Sequence, residues 1–189
     1  MTMTRRQFLS ASAASAFAAA GTTAWSSSLE AQGASRARLR LIRNATSLIR
    51  YGDRTILLDP FLSPQGAMPA FQNTPNPRPN PVVGLPIPAE QVVAGIDAVL
   101  LTHLHVDHWD TVARELLPKT TTVLVQPADR DRVVQAGFST VRVVDATLDW
   151  EGITIARTGG QHGTGETGQR MGTVSGYVLK TPGLPTVYI

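Results

Sequence analysis

Cysteine is absent from this chain of 189 residues. That excludes thiolate metal ligands, disulfides and a thiol nucleophile, and it leaves the redox compartment unread. Aromatic residues make up only 6% of the chain and charged residues 16%. The net charge is +3, part of it from Arg5 and Arg6, and no run of Lys and Arg with interleaved aromatics occurs. A nucleic-acid partner is therefore not implied. No G-x-S-x-G elbow is present, so a protein nucleophile is not expected. The apolar stretch from Ser10 to Ala20 is too short and too rich in serine to span a bilayer stably. Histidine is scarce as well, at four residues, and its placement carries the most information.

Three of the four lie in Thr102-His103-Leu104-His105-Val106-Asp107-His108, directly after the apolar run Ile96-Asp97-Ala98-Val99-Leu100-Leu101. That run reads as a buried strand. Strand alternation predicts His103 and His105 on one face and Leu104 and Val106 turned inward, with Asp107 and His108 in a turn aimed back at the same spot. The fourth, His162, sits in Thr158-Gly159-Gly160-Gln161-His162-Gly163, after the strand-like run Ile153 to Ala156. Glycines on both sides of it imply a tight bend. Imidazoles clustered with a carboxylate at two strand ends read as a metal site. The competing reading is a chance polar turn plus one surface histidine. Trp109, next in sequence, reads as apolar cover over the metal loop rather than a pocket wall.

His103-Leu104-His105-Val106-Asp107-His108 resembles the HxHxDH signature of the metallo-β-lactamase superfamily, and His162 stands where that family's next ligand falls. Thr55-Ile56-Leu57-Leu58-Asp59-Pro60 resembles the strand and aspartate that precede the signature. Ile42 to Ile49 resembles the opening hairpin of the branch containing the L-ascorbate-6-phosphate lactonase-like and N-acylphosphatidylethanolamine phospholipase-like hydrolases. The resemblance implies an α/β fold, a metallo-β-lactamase-like αββα four-layer sandwich over residues 37–189. By resemblance, His103, His105 and His162 would hold one metal ion, and Asp107 and His108 would belong to a second. Asp59 would stand behind them, orienting a ligand or the loop; its other reading is a carboxylate capping the turn before Pro60. One or two divalent ions are implied, zinc first, with manganese or iron as alternatives.

The family's pattern continues with a bridging aspartate and a last histidine, and this sequence stops at Pro185-Thr186-Val187-Tyr188-Ile189, which reads as the strand before that aspartate. The expectation is the N-terminal part of a C-terminally truncated domain. The implied activity is hydrolysis of a small-molecule ester, lactone or phosphodiester by a metal-activated water, with Asp107 orienting that water and accepting a proton. The alternative is a non-catalytic metal-binding remnant.

Thr4-Arg5-Arg6-Gln7-Phe8-Leu9 resembles a twin-arginine export signal, which implies the twin-arginine machinery as partner and a periplasmic or secreted destination. Residues 1–36 are accordingly read as signal and linker, outside the fold. Beyond them, strands are predicted at Arg38 to Asn44, Thr46 to Tyr51, Thr55 to Leu58, Ala98 to Thr102, Thr122 to Val125, Val141 to Val144, Ile153 to Ala156, Val174 to Leu179 and Thr186 to Ile189. Helices are predicted at Pro88 to Ala94, at Asp110 to Leu117 with Asp110 as N-cap, and at Pro127 to Ala136. Pro60 to Pro88 reads as a long proline-rich surface loop, Trp150-Glu151-Gly152 as a turn, and Gly163 to Gly168 as a flexible loop.

Overall fold

The structure, a computed structural model, describes residues 37–189; the segment read as an export signal lies outside them. Strands β1 (Arg38–Arg43), β2 (Thr46–Tyr51) and β3 (Arg54–Leu58) form an antiparallel meander. Asn44, at the first turn, takes φ 52, a left-handed conformation that asparagine tolerates better than most residues. The chain then crosses over through helices, so β4 (Ala98–Leu100), β5 (Thr122–Val125) and β6 (Val141–Val143) add in parallel, giving the order β1-β2-β3-β4-β5-β6.

Three short helices cover one face of this sheet: α1 (Ala89–Val93), α2 (Thr111–Leu116) and α3 (Arg130–Gln135). Val92, Ala113 and Val133 pack there against Leu57, Val99, Val123 and Val125. The alternate residues of the same strands, Ile56, Leu100 and Leu124, face a second sheet through Trp150, Ile155, Tyr177 and Leu179. Burial on both faces explains why β4 and β5 read as continuous apolar runs. The second sheet contains β7 (Thr147–Trp150), β8 (Ile153–Gly160), β9 (Val174–Lys180) and β10 (Val187–Tyr188), antiparallel in the order β10-β9-β8-β7. The described residues thus supply a helix layer and two sheets of the metallo-β-lactamase-like α/β fold.

The sheets also hold each other through hydrogen bonds at the site end. Tyr177 Oη donates to Leu101 O at 2.9 Å, and Ser175 N donates to Thr102 O at 3.1 Å. These fix the backbone where β4 gives way to the histidine run.

The proline-rich segment is a long loop, stitched to itself by a bridge between Met68 and Asn80 and held at both ends by Arg43. Arg43 is 3% exposed and donates to Phe61 O, Ser63 O and Val83 O, with its guanidinium over the Phe61 ring. Asp110 caps α2 by accepting from Ala113 N at 2.8 Å, as its sequence position predicts. Its other oxygen accepts from Leu62 N, Ser63 N and Ser63 Oγ. One buried carboxylate therefore ties the loop to the helix.

Several sequence expectations are corrected. Pro127 to Ala136 is not one helix: a 3-10 turn, Pro127–Asp129, precedes α3, because Asp129 turns inward to meet the Gln126 side chain. Trp150, read as the start of a turn, is the last residue of a strand, Thr147–Trp150, that the sequence reading did not assign. Gly163 to Gly168 is not simply a loop, since α4 (Gly165–Met171) begins within it. The strand before the histidines ends at Leu100, not Thr102, and with alternation lost there Val106 points outward, 53% exposed.

Candidate metal centre

The run after β4 is a chain of turns, and this lets side chains converge that a straight strand would spread apart. His108 N and Trp109 N both donate to His105 O at 2.9 Å, closing one helical turn around the imidazoles. Asn44 Nδ2 donates to Asp107 O at 3.1 Å, tying the β1–β2 turn to the same loop. Trp109 is buried against Phe138, ring centroids 5.5 Å apart, and so covers the loop from the helix side.

His162 arrives from the second sheet. β8 stays paired with β9 up to Gly160 opposite Val174. A Cβ on Gly160 would lie 2.9 Å from Val174 Cγ2, so any larger residue there would push Val174 aside just before His162 is released.

The structure brings His103, His105 and His162 together, one nitrogen from each within 4.8 Å of the others. His103 Nε2 and His105 Nδ1 are 3.1 Å apart. A tetrahedral ion ~2.0–2.1 Å from each nitrogen sets neighbouring nitrogens about 3.3 Å apart, so this pair already has a zinc-like spacing. His108 packs beside them, its ring 4.0 Å from that of His103. Its Nε2 lies 3.9 Å from Asp107 Oδ2. All five residues marked by the sequence thus share one cluster.

Asp59 lies behind the cluster. It is 1% exposed and adopts φ 41, a strained value for a side-chain-bearing residue. Oδ1 accepts from Thr102 N at 2.8 Å; Oδ2 accepts from Thr102 Oγ1 at 2.6 Å and meets His108 Nδ1 at 2.8 Å. The Thr102 hydroxyl proton is thereby spent on Asp59, so its oxygen is left to accept from His103 Nδ1 at 3.0 Å. This chain assigns the tautomers: protons on Nδ1 of His103 and His108, and an open lone pair on each Nε2. The donor set therefore suits a divalent cation.

Burial pulls the His103 pKa down to about 3, and the neighbouring imidazoles of His108, His105 and His162 push the same way. His162 is lowered too, by burial and then by His105 and His108, against the pull of Asp107. For His108 burial also lowers the pKa, but the hydrogen bond and charge of Asp59, with the charge of Asp107, outweigh it and leave the value raised. In chelator-treated protein this has a definite sign. The unfolded chain takes up a proton at His103 near pH 6.5, the folded chain only near 3. Stability is expected to fall as pH drops through that window, and less steeply in His103→Gln, when measured by denaturant unfolding in chelator. Parallel curves would mean that the folded protein accepts the proton.

Sequence reasoning missed what stands on the flank of the cluster: Gln126, Asp129, Arg132 and Ser175. Gln126 is 1% exposed; its Nε2 donates to Asp129 Oδ2 at 2.7 Å and to Thr173 O at 2.9 Å, and its Oε1 accepts from Ser175 Oγ at 2.7 Å. A glutamine directly after the apolar strand Thr122–Val125 was the one available signal, since a buried amide must find partners.

The chain is similar to several known proteins over most of its described length. A UPF0173 protein, YddR, of Bacillus subtilis (strain 168) is 40% identical over 151 residues, covering 78% of this chain and 59% of the relative. The crystal structure of a possible metal-dependent hydrolase from Veillonella parvula DSM 2008 superposes with a TM-score of 0.77 at 36% identity, covering 82% of this chain and 62% of that one. Isothiocyanate hydrolase from Delia radicum gut bacteria gives a TM-score of 0.70 at 36% identity, over 76% and 58%. The chain thus spans about 60% of the length of the relatives it matches. The family model described as the beta-lactamase superfamily domain matches residues 54–189, from β3 through Asp59 and all four histidines to the last residue, and the chain belongs to that family.

Proposed function

We propose that this chain is the metal-holding part of a hydrolase that turns a metal-activated water on an ester, a lactone or a phosphodiester. The observation that carries the reading is the convergence of His103 Nε2 and His105 Nδ1 at 3.1 Å with His162 beside them. His103, His105 and His162 would hold one ion, and Asp107 and His108 would serve a second. Zinc suits the three-nitrogen set, and manganese or iron suits the mixed imidazole and carboxylate set. A divalent ion held there would supply Lewis acidity, lowering the pKa of a water toward 7 and polarising a carbonyl or phosphoryl oxygen.

The chain's own residues supply the rest. Asp107, whose side chain is 32% exposed, would orient the attacking water and take its proton on the carboxylate. Asp59 and Thr102 keep protons on the Nδ1 atoms of His103 and His108, so that each Nε2 stays available. The hydrolase names carried by relatives support the reaction class, and the isothiocyanate hydrolase adds a fourth electrophile to try.

The test strips the gene product with chelator and reloads it with zinc, manganese or ferrous iron. The panel holds a lactone, an aryl ester, a phosphodiester and an aryl isothiocyanate. Turnover is expected only after reloading, and Asp107→Asn is expected to lower it by ~10²-fold or more. Full metal uptake with no turnover on any member would replace the hydrolase with the metal-binding remnant.

A further inference from the structure

A recess of about 220 Å³ opens on the flank of the imidazole cluster. His103 and His105 form one wall, and Asp129 and Arg132 face them from the 3-10 turn and α3. The segment Met171 to Thr173, where α4 ends, closes the third side. Gln126 joins two of these walls, since the same Nε2 binds Asp129 and Thr173 O. Because Gln126 is itself buried and held by Ser175, the recess is formed before any ligand arrives.

The two charged side chains in the recess differ in kind. Asp129 is 6% exposed, with one oxygen engaged by Gln126. Burial pushes its carboxyl toward the neutral form, against the Gln126 bond and the charges of Arg132 and His105. Arg132 is exposed, and its side chain takes part in none of the hydrogen bonds or salt bridges found among the described residues. The neighbouring Arg130, by contrast, pairs with Asp131 at 2.7 Å. So the recess presents an uncommitted guanidinium, whose planar fork fits a carboxylate or phosphate.

We propose that this recess is a substrate-recognition subsite, in which Arg132 grips an oxyanion, carboxylate or phosphate, carried by the substrate next to its scissile bond. The inference rests on the hydrolase reading, because it takes the group bound beside His103 and His105 to be part of the molecule that is hydrolysed. The small volume selects a compact anionic group over a long acyl chain. Arg132 is a specificity-determining residue here, with no part in the bond-breaking step.

The experiment has two arms, both on the gene product. In the first, chelator-treated protein is titrated with benzoate, inorganic phosphate and benzylamine by calorimetry, which keeps metal coordination out of the readout. Saturable binding of benzoate or phosphate is expected, at least ~10-fold weaker in Arg132→Ala and unchanged in Arg130→Ala. Whichever of the two binds better identifies the oxyanion. Equal anion binding in native and Arg132→Ala protein, or a preference for benzylamine through Asp129, would overturn the proposal. In the second arm, metal-loaded protein is given matched pairs: phenyl acetate with 4-carboxyphenyl acetate, and phenyl isothiocyanate with 4-carboxyphenyl isothiocyanate. For the pair that is turned over, the kcat/KM preference for the carboxylated member is expected to be ~10-fold or more and to collapse toward 1 in Arg132→Ala. If the preference persists in that variant, the subsite is wrong while the hydrolase stands. If anions bind through Arg132 and neither these pairs nor any member of the four-substrate panel is turned over, the hydrolase reading fails and the anion site survives it.

Discussion

The triple variant His103→Ala, His105→Ala and His162→Ala is expected to purify with less than about a tenth of the divalent metal of the native protein, and to lose about a thousandfold or more of any hydrolysis. The size of the effect follows from the donor set. The three nitrogens lie within 4.8 Å of one another, and what remains after their removal is Asp107 and His108, one carboxylate and one imidazole. Two donors on a partly exposed loop hold a divalent ion poorly against water. The fold is expected to survive, because the packing around the loop comes from Trp109, Leu101 and Leu62 and not from the imidazoles. Elemental analysis beside a circular dichroism melt separates the two effects. Equal metal content in native and variant protein would sink the assignment.

Asp110→Ala is expected to cost about 3–4 kcal/mol of stability, roughly 10 °C in melting temperature for a domain of this size. The carboxylate is 4% exposed and serves four donors: Ala113 N, Leu62 N, Ser63 N and Ser63 Oγ. Loss of the cap alone accounts for about 1 kcal/mol. The larger share comes from two amides of a buried turn left without a partner, and from the buried Arg43 cation losing a nearby countercharge. Asp110→Asn keeps the shape and one acceptor and should recover a good part of the loss. Urea unfolding of the three proteins decides it; a change under about 1 kcal/mol in Asp110→Ala would mean that water replaces the carboxylate.

How much of this was legible in the sequence varies with the range of the interaction. The HxHxDH run and His162 needed only local spacing, and the structure brings their side chains into one cluster. Asp110 as an N-cap was equally local. Asp59 could be marked as a strand-end carboxylate, but its bonds to Thr102 and His108 reach across 43 and 49 residues, which no local pattern encodes. Helix α4 was hidden because Gly168 sits in its interior, where glycine costs about 1 kcal/mol, and because it buries no residue. Strand β7 did carry a period-2 signal, with Leu148 and Trp150 turned in. Four residues ending at a turn are too few for that signal to outweigh the turn itself. Val106 was misread because alternation was extended past the point where β4 stops making ladder bonds.

Every hydrogen bond by which Arg43 holds the long loop goes to a main-chain oxygen, those of Phe61, Ser63 and Val83. Carbonyls are common to every residue, so this grip makes no demand on which side chains lie between Ser63 and Val83. The stretch behaves as an exchangeable cassette. Its length and composition can be rewritten, by drift or by an engineer, without disturbing the imidazoles, provided the new insert returns its two ends to the same guanidinium. Arg43 is then a position that a library should keep fixed, together with Asp110, which holds Leu62 and Ser63 at the start of the loop.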